Sequence, residues 1–167
     1  MAELTTQERL QPSLLDRLLD EAPAEQRESR DKRVVSVQQL RAGVIRDLGW
    51  LLNTSNLASC VDLDPYPAVI DSVLNFGIPD LAGRTASGVD VSEIEDLMLH
   101  AITTFEPRLI AETVKVRLQV SEGTMSINTM RFDIEAELWA QPISQRIYLQ
   151  TELDLELGSV RVREVSR

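Results

Sequence analysis

The chain has 167 residues, and its 27 acidic and 17 basic side chains give a formal net charge of −10 at pH 7. This length is typical of one domain. The acidic balance argues against nucleic acid or anionic lipid as the main partner, because both require basic patches. One cysteine excludes an internal disulfide, and one histidine is too few for most zinc or triad chemistry. The composition favours a reducing compartment and either a basic protein partner or a solvated acidic surface.

The first residues lack the pattern of a secretory signal, which requires a basic stretch before an apolar one. No apolar run approaches the roughly 18 residues of a membrane-spanning helix. We therefore expect a cytoplasmic protein with no direct insertion into a membrane.

Residues 13–21, SLLDRLLDE, predict a short amphipathic helix. Ser13 could cap this helix, with Asp16 three residues later in a position like that of a capping box. The apolar face of the helix comprises four leucines: Leu14, Leu15, Leu18 and Leu19.

The charged residues 22–33 show no periodicity and predict a tether. The leucine helix before this tether either docks on a partner or folds back onto the core. We therefore divide the chain into an N-terminal extension, residues 1–33, and a body, residues 34–167.

The body begins with the pattern of a long helix. Ser36 and Gln39 form a capping box, and the helix should fade near residues 53–56. Gly43 and Gly49 lie within it, and a glycine inside a helix often permits the close approach of another element. Apolar residues recur at helical spacing: Val37, Leu40, Val44, Ile45, Leu48, Leu51 and Leu52.

An irregular segment, residues 57–91, follows this helix. We expect a helical turn at Ala68–Leu74 that ends at a left-handed Gly77. Irregular segments of this length in a compact domain are usually functional or contain unrecognised structure.

A second long helix is marked by Ser92 and Glu95, which form another capping box. His100 lies off its apolar stripe and is expected to be exposed. Pro107 disfavours helical geometry at Glu106, so the helix should end there. The apolar stripe comprises Ile94, Leu97, Met98, Ala101, Ile102 and Phe105.

Beyond Pro107 the apolar period changes from 3.6 to 2, which predicts strands with one dry and one wet face. The alternating stretches cover residues 114–120, 130–138, 149–157 and 160–163. The predicted fold class is therefore α+β, with N-terminal helices packed on one face of a four-stranded, mainly antiparallel sheet.

Gly158 and Ser159 predict a two-residue hairpin turn between the last two strands. This turn would pair Leu157 with Val160. Further along, the same register would place acidic residues opposite basic ones on the wet face.

The sequence contains no glycine-rich phosphate-binding motif and no nucleophile elbow. Asp62, Asp64, Asp71 and Asp80 do not follow the spacing of a calcium-binding loop, so we interpret them as solvated carboxylates. A glycosidase would need one protonated and one ionised carboxylate across a sugar cleft, and the sequence singles out no such pair. We expect no catalytic residue, metal or cofactor.

The triplet Glu106-Pro107-Arg108 lies where helix changes to strand. Taken alone it has two interpretations. It is either a helix terminator whose charges pair or face water, or a binding site.

Three stretches together resemble the phage baseplate wedge family of the GpW/gene-25 type: DLGWLLNTSN (47–56), YPAVIDSVLNFGIPDLAG (66–83) and FEPRL (105–109). The leading SLLDRLLD and the length of the extension are similar to the type VI secretion branch of this family, the TssE proteins. Phe76 is a mild departure, because tyrosine is as common there.

The resemblance implies a structural, non-enzymatic subunit of a contractile injection machine. Its implied partners are the wedge proteins TssF, TssG and TssK and the sheath subunits TssB and TssC, whose first ring this sheet would template by accepting strands. It also implies that Glu106, Pro107 and Arg108 contact the helical core of the wedge. The leucine face of the extension is a second candidate docking element. The open alternatives are a lysozyme-like glycosidase and the equivalent wedge protein of a contractile phage tail.

Overall fold

The computed structural model of the chain describes residues 13, 16, 18, 36–82, 90–119, 129–139 and 144–165. In the described part of the body, three helices come first: α1 (Val37–Leu52), α2 (Pro67–Ile70) and α3 (Val91–Phe105). Four strands follow: β1 (Lys115–Leu118), β2 (Thr129–Leu138), β3 (Gln145–Asp154) and β4 (Ser159–Glu164). These strands form an antiparallel sheet in the order β1-β2-β3-β4, so the predicted α+β fold is confirmed.

α1 begins as the sequence predicts. Gln39 N donates to Ser36 Oγ at 3.2 Å, and Ser36 N donates to Gln39 Oε1 at 2.9 Å, so both halves of the capping box are formed. The helix ends at Leu52, and Asn53 is its C-cap. Its apolar stripe is buried in the core: Leu40, Val44, Leu48, Leu51 and Leu52.

α3 begins differently from the prediction. Asp90 is the N-cap, and its carboxylate accepts from Ser92 N at 2.9 Å, so the predicted Ser92–Glu95 capping box is wrong. Asp90 provides a charged acceptor two residues earlier, which moves the start of the helix to Val91. Glu95 instead accepts from Leu118 N at 2.7 Å and ties the helix to β1.

The dry face of the sheet packs against the two long helices, with α1 beside β4 and α3 beside β1. The buried strand residues alternate as the sequence predicts: Val116, Met130, Phe132, Ile134, Ala136, Leu138, Ile147, Leu149, Thr151, Leu153 and Val160. Thr151 is polar, and its hydroxyl donates to Phe132 O at 3.2 Å. A continuous apolar core therefore joins the helices to the sheet and fixes which strand face is buried.

The β3–β4 hairpin has a different register from the prediction. Leu153 pairs with Val160, and residues 155–158 form a four-residue loop. Leu157, the predicted partner of Val160, lies in this loop and is 74% exposed. The predicted two-residue turn is therefore wrong.

Local hydrogen bonds at the end of β3 explain the longer loop. The Asp154 carboxylate accepts from Glu156 N at 2.9 Å and from Leu157 N at 3.1 Å, which turns the chain earlier than predicted. Gly158 then adopts a left-handed φ of 64°. The register moves by an even number of residues, so apolar residues still face apolar ones. The alternating pattern alone therefore does not distinguish the two registers.

Over residues 67–75 the structure has two short turns where the sequence predicts one. They are α2 and a 3-10 turn at Val73–Asn75. The buried Asn75 side chain joins them to a further 3-10 turn at Leu57–Ser59. Its Oδ1 accepts from Ala58 N at 2.9 Å, and its Nδ2 donates to Ile70 O at 2.8 Å. Gly77 has a φ of 121°, so the predicted need for a glycine at this position is confirmed.

Asn53 fastens the end of α1 to the outer edge of β4. Its Nδ2 donates to Val160 O at 2.7 Å, and its Oδ1 accepts from Val160 N at 2.9 Å. We expect Asn53→Ala to lower the free energy of unfolding by about 1–2 kcal/mol, because both backbone groups of Val160 lose a partner. Urea unfolding followed by circular dichroism measures the change. The control is Asn56→Ala, since Asn56 bonds Ser59 within its own turn; equal losses in the two variants would contradict this account.

Candidate docking site at the end of helix α3

α3 ends at Phe105, and Pro107 explains why. The proline ring disfavours helical geometry at the preceding residue, and Glu106 has φ −117° and ψ 79°. Glu106 N still donates to Ile102 O at 2.9 Å, which closes the last turn of the helix. The predicted helix stop at Glu106 is therefore confirmed.

The backbone beyond Pro107 is fixed to the edge of β2. Trp139 N donates to Arg108 O at 2.7 Å, and Ile110 N donates to Glu137 O at 2.9 Å. Because these bonds hold the segment beside β2, the Arg108 side chain projects from a fixed backbone.

The Glu106 side chain points inward and holds Arg108. Only 3% of Glu106 is exposed. Its Oε1 accepts from Arg108 N at 3.1 Å and from Arg108 Nε at 2.7 Å, and its Oε2 accepts from Arg108 Nη2. A bidentate pair of this kind fixes the plane of the guanidinium. Glu106 is therefore placed to orient Arg108.

Arg108 also joins this end of α3 to α1. Its Nη2 donates to Asp47 Oδ2 at 2.6 Å, between residues 61 positions apart in the sequence. Burial alone would lower the pKa of Arg108, but the hydrogen bonds and negative charges of Glu106 and Asp47 outweigh it and raise this pKa above its ordinary value. The guanidinium therefore stays charged, and 21% of the side chain remains exposed.

Arg108 and Asp16 both approach α1 at Gly43. A Cβ on Gly43 would lie 3.4 Å from Arg108 Nη1 and 3.8 Å from Asp16 Oδ2. The close approach predicted at Gly43 is therefore present. The same prediction is wrong for Gly49, where a Cβ would meet no described atom within 4 Å.

Arg46 binds Asp16 of the N-terminal extension at the same place. Its Nε donates to Asp47 Oδ1 at 2.8 Å, and its Nη1 donates to Asp16 Oδ1. The hydrogen bond from Arg46 is the largest cause that lowers the pKa of Asp16 below its ordinary value, and it outweighs the opposing effect of burial. Five charged residues meet here, and we call them the seam cluster: Asp16, Arg46, Asp47, Glu106 and Arg108.

The structure describes the leucine face of the extension at one position. Asp16 and Leu18 have helical geometry, and Leu18 is 73% exposed. The other predicted residues lie outside the described ranges: Leu14, Leu15, Leu19 and the tether of residues 22–33.

Sequence reasoning allows a pairing of Glu106 with Arg108 but does not find Asp47, the other partner of Arg108. The members of the seam cluster that it misses are Asp16, Arg46 and Asp47. Charged residues on the wet face of a helix are usually solvated, so their spacing carries no signal. Gly43 is the available signal, because Asp47, four positions later, shares its side of the helix and binds Arg108 there.

In the described ranges, no helix is long and apolar enough to cross a membrane. The same residues contain no group of three or more histidine, cysteine or acidic side chains that could hold a metal ion. Among the carboxylates of the irregular segment, Asp71 pairs with His100. The distance from Asp71 Oδ1 to His100 Nε2 is 3.2 Å, and both side chains are exposed.

Comparison with protein families decides the class of the chain. The family model of the baseplate wedge protein gp25 matches residues 38–143, which is more than half of the chain. The chain belongs to the baseplate wedge protein gp25 family. The family resemblance predicted from the sequence is therefore confirmed. Comparisons with curated proteins and with solved structures found no match.

The gp25 family consists of structural baseplate wedge proteins of phages and related contractile injection systems, which implies contacts with other baseplate components. The matched residues contain four members of the seam cluster: Arg46, Asp47, Glu106 and Arg108. Asp16, which the extension contributes, lies outside the match.

Proposed function

We propose that this gp25-family chain is the wedge subunit of a type VI secretion baseplate in the cytoplasm, in the manner of the TssE proteins. It joins the wedge proteins TssF, TssG and TssK to the sheath subunits TssB and TssC, and its role is structural. The observation that carries the proposal is Arg108, which Glu106 and Asp47 hold in a fixed orientation inside the family-matched region.

Arg108 is the proposed contact with the helical core of the wedge. Glu106 and Asp47 use its Nε and Nη2, whereas Nη1 has no acceptor among the described residues. Because the guanidinium is oriented before a partner arrives, less conformational freedom is lost on binding. A carboxylate or a row of carbonyl oxygens fits such a donor. Glu106 and Pro107 act in this proposal as positioning residues.

The leucine face of the extension is the second proposed contact with the wedge. Leu18 supports this proposal. Its side chain is 73% exposed, and a partner that covered it would remove this apolar surface from water. The full face consists of Leu14, Leu15, Leu18 and Leu19.

The outer edge of β4 is the proposed site of strand addition by the sheath. The opposite edge strand, β1, has four residues, and the outward N–H of Leu118 is already bonded to Glu95. On β4, Asn53 bonds the outward groups of Val160. By alternation the next outward groups belong to Val162 and Glu164. No hydrogen bond among the described residues uses the outward groups of Val162, so β4 is the edge that favours a further strand.

We expect Val162→Pro to stop sheath assembly while the wedge complex still forms. Proline removes the outward N–H that an added strand needs, but it breaks no hydrogen bond between β3 and β4. The measurement is the amount of sedimentable sheath formed by TssB and TssC with baseplates that carry the variant, alongside co-purification of TssF and TssG.

Val162→Thr is the matched control, since threonine keeps the N–H, the branched shape and the preference for strands. Baseplates with this variant should assemble sheath at the wild-type level. Normal sheath formation by Val162→Pro would remove β4 as the accepting edge.

A further inference from the structure

The extension places one oriented carboxylate in the seam cluster. Asp16 Oδ1 accepts from Arg46 Nη1, and Ser13 Oγ donates to Asp16 Oδ2 at 2.7 Å. Asp16 N also donates to Ser13 Oγ at 3.3 Å. The carboxylate is therefore held by its own helix start and directed at α1.

This carboxylate shares its surroundings with the proposed wedge contact. Asp16 Oδ2 and Arg108 Nη1 both lie within 4 Å of the position that a Cβ on Gly43 would take. The charge of Arg108 is also one of the causes that lower the pKa of Asp16, after the larger hydrogen bond from Arg46. Asp16 therefore lies in the electrostatic field of both guanidinium groups.

Each of the two guanidinium groups has a donor without an acceptor among the described residues. Arg46 Nη2 is buried and has no acceptor among the described residues, and Arg108 Nη1 has none either. Trp50 is 48% exposed and lies beneath Arg46, with 4.9 Å between Cζ and the ring centroid. Two cationic groups around Gly43, with a half-exposed aromatic ring beside them, fit a helix or loop that carries acidic side chains.

The contact with Asp16 is suited to exchange. The Asp16 and Arg46 side chains remain 29% and 33% exposed, and ion pairs this accessible to water are weak. A partner with two carboxylates would satisfy donors that the single carboxylate of Asp16 does not reach.

We propose that Asp16 occupies a carboxylate-binding site formed by Arg46 and Arg108, and that the N-terminal extension competes there with an acidic segment of the wedge partner. The inference rests on the proposed function, and it adds the chemistry of the partner segment and a built-in competitor. The partner that we propose is a heterologous protein with an acidic segment, because the donors without an acceptor among the described residues belong to Arg46 and Arg108.

The test compares the full-length wild-type chain with Asp16→Ala for binding to the purified TssF–TssG complex by biolayer interferometry. Removal of the competitor increases the fraction of molecules with an open site, so the affinity should rise roughly threefold to tenfold. Asp71→Ala is the control, since it also removes one exposed carboxylate but lies beside His100, outside the seam cluster. Its affinity should equal that of the wild type, and thermal unfolding of the three proteins confirms that each is folded.

The outcomes separate this inference from the proposed function. Tighter binding by Asp16→Ala with unchanged binding by Asp71→Ala supports the competition. Unchanged or weaker binding by Asp16→Ala overturns the inference and leaves the wedge role in place. No binding by any of the three proteins overturns both. Dimerisation of Asp16→Ala in sedimentation velocity would identify a second copy as the occupant and would also overturn the inference.

Discussion

Arg108→Ala should lower the free energy of unfolding by about 3 kcal/mol. The substitution removes the partner of Glu106, a carboxylate with 3% exposure, and leaves its charge buried and unpaired. It also breaks the hydrogen bond between Arg108 and Asp47, which ties the end of α3 to α1. Equilibrium unfolding in urea measures the loss as a lower midpoint at constant slope.

Arg117→Ala is the matched control for this prediction. Arg117 also pairs with a glutamate, Glu95, but its side chain is 76% exposed and the nearest charged atoms are 3.4 Å apart. Exposed pairs contribute little, so the free energy of unfolding should change by less than about 0.5 kcal/mol. A loss as small for Arg108→Ala would show that water already solvates Glu106, in contradiction to the buried pair.

Gly77→Ala should destabilise the chain by more than about 3 kcal/mol. The new Cβ would lie 2.1 Å from Thr54 O and 2.8 Å from Thr54 C, and the φ of 121° is strained for any residue with a side chain. Relief of the clash would break the two backbone bonds that join this segment to the end of α1, from Ile78 N to Thr54 O and from Asn56 N to Ile78 O. The same urea experiment measures the effect, together with the yield of soluble protein.

Gly49→Ala is the control, and its expected effect has the opposite sign. Gly49 lies inside α1, and an added Cβ would meet no described atom within 4 Å. Alanine at an open helical position should raise the free energy of unfolding by up to about 1 kcal/mol. If Gly77→Ala and Gly49→Ala changed the free energy of unfolding by the same amount, the positive φ and the contact with Thr54 would not explain why residue 77 is glycine.

The sequence predicts the helices and the strand faces because their signals are local and repeated. α1 and α3 each have several apolar residues at helical spacing, and the alternation in β2 and β3 leaves one possible buried face. The register of the last hairpin needs more than this pattern. It depends on how the Asp154 carboxylate binds two backbone N–H groups, and on the freedom of Gly158 to adopt a positive φ.

In the candidate site, too, the sequence predicts the local feature but not the contacts between distant residues. Pro107 identifies the helix stop because its effect on the preceding residue is covalent and local. The contact between Arg108 and Asp47 depends on how α1 and α3 cross, and the interaction of Asp16 with Arg46 depends on where the extension lies. Family resemblance directs attention to Arg108, but packing in three dimensions assigns its neighbours.

Arg108→Lys separates the docking role of this residue from its structural role. Lysine keeps the positive charge beside Glu106 and Asp47, so the variant should remain folded, with a smaller loss of stability than Arg108→Ala. Lysine lacks the planar guanidinium, however. Its ammonium group does not make the bidentate contact with Glu106 and at the same time direct a second donor at a partner. A loss of partner binding in this folded variant therefore reports on recognition.

Quantitative co-purification of TssF and TssG with the tagged chain, for wild type and Arg108→Lys side by side, measures whether Arg108 docks the chain on the wedge. We expect the wild-type chain to retain both wedge proteins in a fixed ratio and Arg108→Lys to retain them at least roughly tenfold less. Equal retention by a folded Arg108→Lys would contradict the docking role and leave Glu106-Pro107-Arg108 as the stop of helix α3.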